Sequence, residues 1–252
     1  MSDLVNTSVK DGILTIRMNR ADKKNALNLE MYDAMAAAIK DADTNPDVRV
    51  IVITGTGDSF CAGNDLKDFA ENPPTGKSSP VMKFLKAIST AETPIVAAVN
   101  GTAVGIGTTM LLHCDFVYVA KDAMLSLPFI NLGLVPEAAA SLLLPRMAGH
   151  ARAAELLMLG EPFSAKEALD TGIANAVCET ADLEKVAMKT AKKLAAKPKD
   201  ALRTTKALLR RDFESVAQRI DAEAEEFKKA LASPDAKEAL LAFKEKRKPK
   251  FN

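Results

Sequence analysis

Pro94-Ile95-Val96-Ala97-Ala98-Val99-Asn100-Gly101-Thr102-Ala103-Val104-Gly105-Ile106-Gly107-Thr108-Thr109 is the stretch from which the architecture can be read. Ile95 to Val99 is apolar without alternation, which predicts a strand covered on both faces. Asn100 to Thr109 then sets glycines between that strand and a helix, leaving free N–H groups at the helix N-terminus. The wider run Thr93 to Cys114 has no charged residue and is long enough to cross a bilayer. Pro94, Asn100, the three glycines and His113 interrupt it, so a buried strand, a turn and a helix are expected instead of a membrane span.

The same pattern recurs on either side. Val48 to Thr54 and Phe116 to Ala120 are further apolar strands, and Leu14, Ile16 and Met18 alternate as a half-buried strand after the Asp11-Gly12 turn. Asn28 caps a helix that carries Leu29, Tyr32, Met35, Ala36 and Ile39 on one face. Strand and helix alternate through the first two thirds, which is the α/β class. From about residue 150 onward almost only helices are expected. Ser164-Ala165-Lys166-Glu167 forms a capping box, Ser233-Pro234 starts another helix, and Gly160, Gly172 and Pro198 act as stops. Glu71 to Pro80, rich in Pro, Gly and Ser, reads as a surface loop or as a flap over a site.

Composition narrows the function classes. The chain has 252 residues, enough for one large core or one domain with a helical appendage. Lys and Arg number 34 against 33 Asp and Glu, so no global field steers the protein to nucleic acid or an anionic membrane. Cys61, Cys114 and Cys178 fit free thiols better than a disulfide framework. No metal-ligand spacing is present, and no signal peptide is visible. Without a Ser-Lys-Leu ending either, a cytoplasmic location is expected.

Two backbone turns look built to hold an oxyanion. One is Ser59-Phe60-Cys61-Ala62-Gly63-Asn64-Asp65-Leu66, after the strand at Val48 to Thr54, and the other is Asn100 to Thr109. Together they could aim N–H donors at one developing negative oxygen. The second turn lacks the spacing and the downstream acid of a dinucleotide fingerprint. A candidate for proton chemistry lies further on. Between Asp122 and Arg146 the only charged residue is Glu137, in an apolar run where desolvation would raise its pKa toward that of a general base. The competing reading is an exposed first-turn helix residue, because Pro136-Glu137 also resembles a helix start. Cys61 lacks a histidine to activate it and reads as a buried filler, and His113 reads as a packed core histidine. Asp65 and Asp115 read as caps or turn braces, and the basic stretch Lys244 to Lys250 as a solvated end.

These motifs resemble those of the enoyl-CoA hydratase/isomerase family, the crotonases, over nearly the whole chain. The resemblance rests on Asn19-Arg20 with Lys24-Asn25-Ala26-Leu27, Phe60 to Leu66, Pro94 to Gly107, Leu132-Gly133-Leu134-Val135-Pro136, and Phe163-Ser164-Ala165 through Gly172. It implies a crotonase-like α/β fold (the ClpP/crotonase fold): a spiral core of strand-strand-helix units over residues 1–195 and a helical oligomerisation region over 196–252. It further implies homotrimers, or dimers of trimers, and an acyl-CoA thioester substrate, with no cofactor because CoA is part of the substrate. The oxyanion donors carried over are the amides of Asn64 and Ile106. Substrate contacts carried over or expected nearby are Lys24, Ala62, Leu66, Gly105 and Phe129, with Phe243 and Lys246 reaching the CoA nucleotide of a neighbouring subunit.

Membership alone does not fix the reaction, since this fold hosts several chemistries. Hydratases of the family carry two glutamates, one just after the second turn and one in the strand near residue 129. Thr109 and Phe129 stand there in this chain. Glu137 remains, and the runs around it and around Asn64 resemble the Δ3,Δ2-enoyl-CoA isomerase branch, in which one acid moves the proton. The alternatives are a weak hydratase or acyl-CoA hydrolase, and a non-catalytic acyl-CoA- or RNA-binding relative; balanced charge and the lack of an aromatic basic patch argue against RNA.

Overall fold

Asp11 and Gly12 both have positive φ, the left-handed pair a two-residue hairpin requires. They join β1 (Val5–Lys10) to β2 (Ile13–Met18) with Lys10 opposite Ile13. The structure is a computed structural model that describes residues 2–72, 76, 78–211, 216–231 and 233–251; for residues 216, 217, 231 and 243 it describes the backbone alone. Residues 73–75 and 77 of the Glu71–Pro80 loop therefore lie outside the described residues, and with them the choice between surface loop and flap. The Asn28 side chain accepts the Met31 N–H at 3.0 Å, so α1 (Leu29–Thr44) starts at the expected cap. Its Tyr32, Met35, Ala36 and Ile39 are buried, as the apolar face required.

The chain then climbs in a spiral. β3 (Val50–Gly55), β5 (Ile95–Val99) and β7 (Phe116–Ala120) run parallel in a six-stranded sheet of order β1-β2-β3-β5-β7-β10, the last strand being Ala176–Cys178. β3 and β5 are buried at every residue, which explains their lack of alternation. After each of the three comes a short strand, β4 (Ser59–Cys61), β6 (Thr102–Val104) or β8 (Met124–Ser126). These pair with β9 (Phe163–Ser164) in a second sheet of order β4-β6-β8-β9. Every turn of the spiral thus gives one strand to each sheet before its helices. The bend from β5 to β6 passes so close to the bend below that a Cβ on Gly101 would lie 1.8 Å from the Asp58 carbonyl oxygen, and only glycine fits.

The helices are α2 (Leu66–Glu71) and α3 (Pro80–Thr90), α4 (Ile106–Thr109) with a 3-10 turn at Met110–His113, α5 (Ala140–Ala148), α6 (His150–Ala154) and α7 (Ala165–Asp170). After β10 (Ala176–Cys178) follow α8 (Leu183–Ala195), α9 (Lys199–Leu209), α10 (Val216–Leu231) and α11 (Pro234–Lys244). The capping box at Ser164 and Glu167 forms as expected. Three expectations are corrected. The region after residue 150 also contains β9 and β10, which are too short to show a period. Each glycine turn holds a short strand, β4 or β6, rather than leading directly to a helix. Phe129 and Glu137 lie in neither strand nor helix, because α5 begins only at Ala140.

α9 is fastened to the core by buried polar contacts. The Lys206 ammonium, 4% exposed, donates to the Thr93 carbonyl and pairs with Asp115, each at 2.8 Å. A buried charge is tolerable only when paired and hydrogen-bonded in this way. Asp115 also accepts the Ile95 N–H at 2.7 Å, bracing the start of β5.

Candidate active site

The first oxyanion turn leaves β4 at Cys61 and is clasped by Leu27. The Leu27 N–H donates to the Gly63 carbonyl and the Leu27 carbonyl accepts from the Asp65 N–H, both at 2.8 Å. Along extended backbone successive donors alternate in direction, so these two bonds leave the Asn64 N–H facing the other way. In the second turn the Gly105 N–H donates to the Ser126 carbonyl at 3.0 Å, and the next amide, Ile106, opens α4. As the first residue of a helix it has no intrahelical acceptor. The two turns touch at Gly107, where a Cβ would lie 2.4 Å from the Cys61 carbonyl oxygen. Glycine there lets α4 lie against β4 and brings both amides to one place.

That place is a cavity of about 270 Å³. Its walls include Ala62, Asn64, Leu66, Gly105, Ile106 and Phe129, with Leu134 at its edge, 43% exposed. No carboxylate is among the described residues that line it. Lys24 and Lys246 are exposed and do not line the cavity, although the Lys24 carbonyl accepts the Ala62 N–H at 3.0 Å. The Phe243 side chain lies outside the described residues.

Glu137 is not among the residues that line the cavity, and its link to the site runs through Thr109. Its carboxylate accepts a hydrogen bond from the Thr109 hydroxyl at 2.5 Å, and Thr109 stands three positions after Ile106 on α4. Burial raises the Glu137 pKa above the ordinary glutamate value, and the Thr109 hydroxyl pulls it partly back by favouring the charged form. The residue as a whole is half-buried, and its carboxyl is bonded to the buried Thr109. The exposed first-turn helix reading of Pro136-Glu137 is therefore corrected.

Three further residues shape the site. The buried Tyr32 hydroxyl donates to the Asn64 side-chain oxygen, and burial together with the Glu137 charge pushes its pKa well up. The Cys61 thiol is pushed up to about 12, first by burial and lastly by Glu137. A thiol so hard to ionise is no nucleophile. Asn25 is wholly buried; its amide nitrogen donates to the carbonyls of Thr56 at 2.9 Å and Ser59 at 2.7 Å, and its oxygen accepts the Arg20 N–H at 2.9 Å. Arg20 pairs with Asp65 at 2.7 Å, so Asp65 both caps α2 and ties the cavity rim to the loop before α1.

The roles of Tyr32 and Asn25 were not anticipated from the amino acids. Tyr32 is one of several apolar-face positions on α1, and its contact with Asn64 spans 32 residues. Asn25 could have been suspected from its place beside Leu27 in the motif that carries the resemblance. Among the described residues no group of three His, Cys, Asp or Glu could hold a metal ion. No described helix is long and apolar enough to cross a membrane.

The sequence profile of the enoyl-CoA hydratase/isomerase family matches residues 8–252. The chain belongs to that family. It is 33% identical to the 1,2-epoxyphenylacetyl-CoA isomerase of Escherichia coli K12, covering 100% of this chain and 99% of that protein. It is 36% identical to human enoyl-CoA delta isomerase 2 over 87% of this chain, spanning 57% of that longer protein. A solved structure from Magnetospirillum magneticum AMB-1, bearing an enoyl-CoA hydratase/carnithine racemase description, is 47% identical over the full length of both chains with a TM-score of 0.97. The fold is thus that of the crotonases, in a family whose members act on acyl-CoA thioesters.

Proposed function

We propose that the protein is a Δ3,Δ2-enoyl-CoA isomerase. The observation that carries this reading is the Glu137 carboxyl, desolvated and bonded to Thr109 on the same short helix as the Ile106 amide, next to a cavity whose described lining holds no carboxylate. Hydration is favoured by two acids that orient and activate a water, whereas a double-bond shift needs only one group that takes a proton and returns it. Glu137 removes a proton from C2 of a 3-enoyl-CoA. The C3–C4 double bond moves to C2–C3 as the same carboxyl delivers the proton to C4, so no atom is gained or lost. Between the two steps the thioester oxygen carries the negative charge, and the amides of Asn64 and Ile106 donate to it. Preorganised donors of this kind are worth about 3–4 kcal/mol of barrier each. A carboxyl that must act as base and then as acid benefits from a pKa raised toward neutrality.

Relatives named for isomerisation of CoA thioesters support this reading. Apolar walls at Phe129 and Leu134 limit the water available to trap the intermediate. The active form is a homotrimer or a dimer of trimers, to which α10 and α11 contribute. The test is to supply purified protein with 3-hexenoyl-CoA and, separately, with crotonyl-CoA, and to follow 2-enoyl-CoA formation and water addition. Fast isomerisation with slow hydration is the expected result. Hydration as fast as isomerisation contradicts the proposal.

A further inference from the structure

The turn that carries Glu137 is strained, and it is held from one side by a histidine that no part of the reaction scheme uses. Ala138 and Ala139 have φ of 51° and 56°, two consecutive non-glycine residues in the left-handed region. That conformation is strained for an L-residue and persists only where surrounding contacts enforce it. On one side the enforcement is the start of α5: the Ala140 N–H donates to the Glu137 carbonyl, and those of Leu142 and Leu143 to the Ala139 carbonyl, all at 2.9 Å. The carbonyl between the two strained residues, that of Ala138, points the other way and meets His113 Nε2 at 2.8 Å. A carbonyl can only accept, so Nε2 carries the proton and the ring is the donor. Burial lowers the His113 pKa and so disfavours the charged ring, and the Ala138 carbonyl selects the tautomer with the proton on Nε2.

His113 is itself anchored. It is 9% exposed at the end of the 3-10 turn that follows α4. Its own carbonyl accepts from the Arg210 guanidinium at 2.6 Å, and Arg210, just past α9, also donates to the carbonyls of Ser89 and Ala91 at 3.2 Å each. The same α4 segment therefore grips the acid twice, at the carboxylate through Thr109 and at the backbone one residue on through His113. We propose that His113 is a positioning residue, fixing the Ala138–Ala139 turn so that the Glu137 carboxylate stays within reach of Thr109.

This rests on Glu137 being the proton carrier, and the experiment separates the two claims. Isomerase kcat and KM are measured for His113→Leu, His113→Gln and His113→Asn beside Glu137→Gln. Leucine fills the space without a donor, the glutamine amide can reach Ala138, and the asparagine amide has the same chemistry one bond too short. A misplaced acid lowers kcat by about 10–100-fold in the leucine and asparagine variants while KM stays within about twofold. The glutamine variant regains most of the loss. If the leucine variant does not fold, the glutamine and asparagine pair decides the matter. Equal kcat in that pair, or wild-type kcat in the leucine variant, overturns the role of His113 while an inactive Glu137→Gln leaves the proton carrier standing. Turnover retained in Glu137→Gln removes both.

Discussion

The two donor turns and the segment that carries the acid are built on opposite plans. The turns at Phe60–Asp65 and Val104–Thr109 lie in the interior: Phe60, Cys61, Ala103 and Ile106 are buried, two short strands pin them to one sheet, and Gly107 packs against Cys61. The chemistry proposed for them comes from backbone amides, so side-chain identity should matter little beyond the glycines. The segment from Ile130 to Ala139 runs over the surface, with Val135 81% exposed, and makes its contribution through one side chain. That side chain is held by Thr109, and its turn by His113 and the first bonds of α5. A fold arranged in this way can keep thioester recognition fixed while the reaction changes with the position of a carboxylate.

Breaking the rigid half should have the largest effect. Gly107→Ala drives a Cβ into the Cys61 carbonyl, which as backbone cannot move aside, so α4 must lift and take the Ile106 amide with it. A loss of about 10²–10³ in kcat is expected from one misplaced oxyanion donor. Denaturant unfolding should register about 1–3 kcal/mol of lost stability from the overpacking.

Perturbing the acid more gently should move the pH profile. The proposed mechanism needs the Glu137 carboxylate, so activity should fall as pH drops through a pKa that burial holds above the usual range. Thr109→Val keeps the shape and removes the hydroxyl that favours the charged form. The acid limb of kcat/KM should then shift to higher pH, and a shift of one pH unit means roughly tenfold less activity below the limb. An unmoved limb would mean that the limb belongs to another group.

The smallest effect concerns stability. Glu137 has a higher pKa folded than unfolded, so the folded state holds its proton longer. The stability this gives is complete below the ordinary carboxylate value and is lost as pH rises through the raised one. Glu137→Gln, neutral throughout, should match the wild type at low pH and melt higher above neutrality, by an amount of about 0.5–2 kcal/mol. A constant difference across pH would show that the carboxyl is not desolvated.

The contrast between the halves also governs what could be read from the amino acids. Apolar runs such as Val48 to Thr54 and Ile95 to Val99 revealed the parallel strands because burial on both faces removes alternation. The glycines at 63, 105 and 107 revealed the donor turns, since close approach restricts residue type. β4, β6, β9 and β10, of two or three residues, carry no period and could not be seen. Alanine gives no hint of a left-handed backbone, so the turn after Glu137 resembled a helix start. The links of Tyr32 to Asn64 and of Arg210 to His113 join residues far apart in sequence, and only the folded chain brings them together.

The central claim is that Glu137 alone carries the proton while the fold holds the thioester. The most direct test is isomerase turnover in Glu137→Gln together with its affinity for a non-reacting acyl-CoA. Loss of kcat by at least about 10²–10⁴ with unchanged acyl-CoA binding is the predicted result. Turnover within a few fold of the wild type would place the proton on another group and contradict the account.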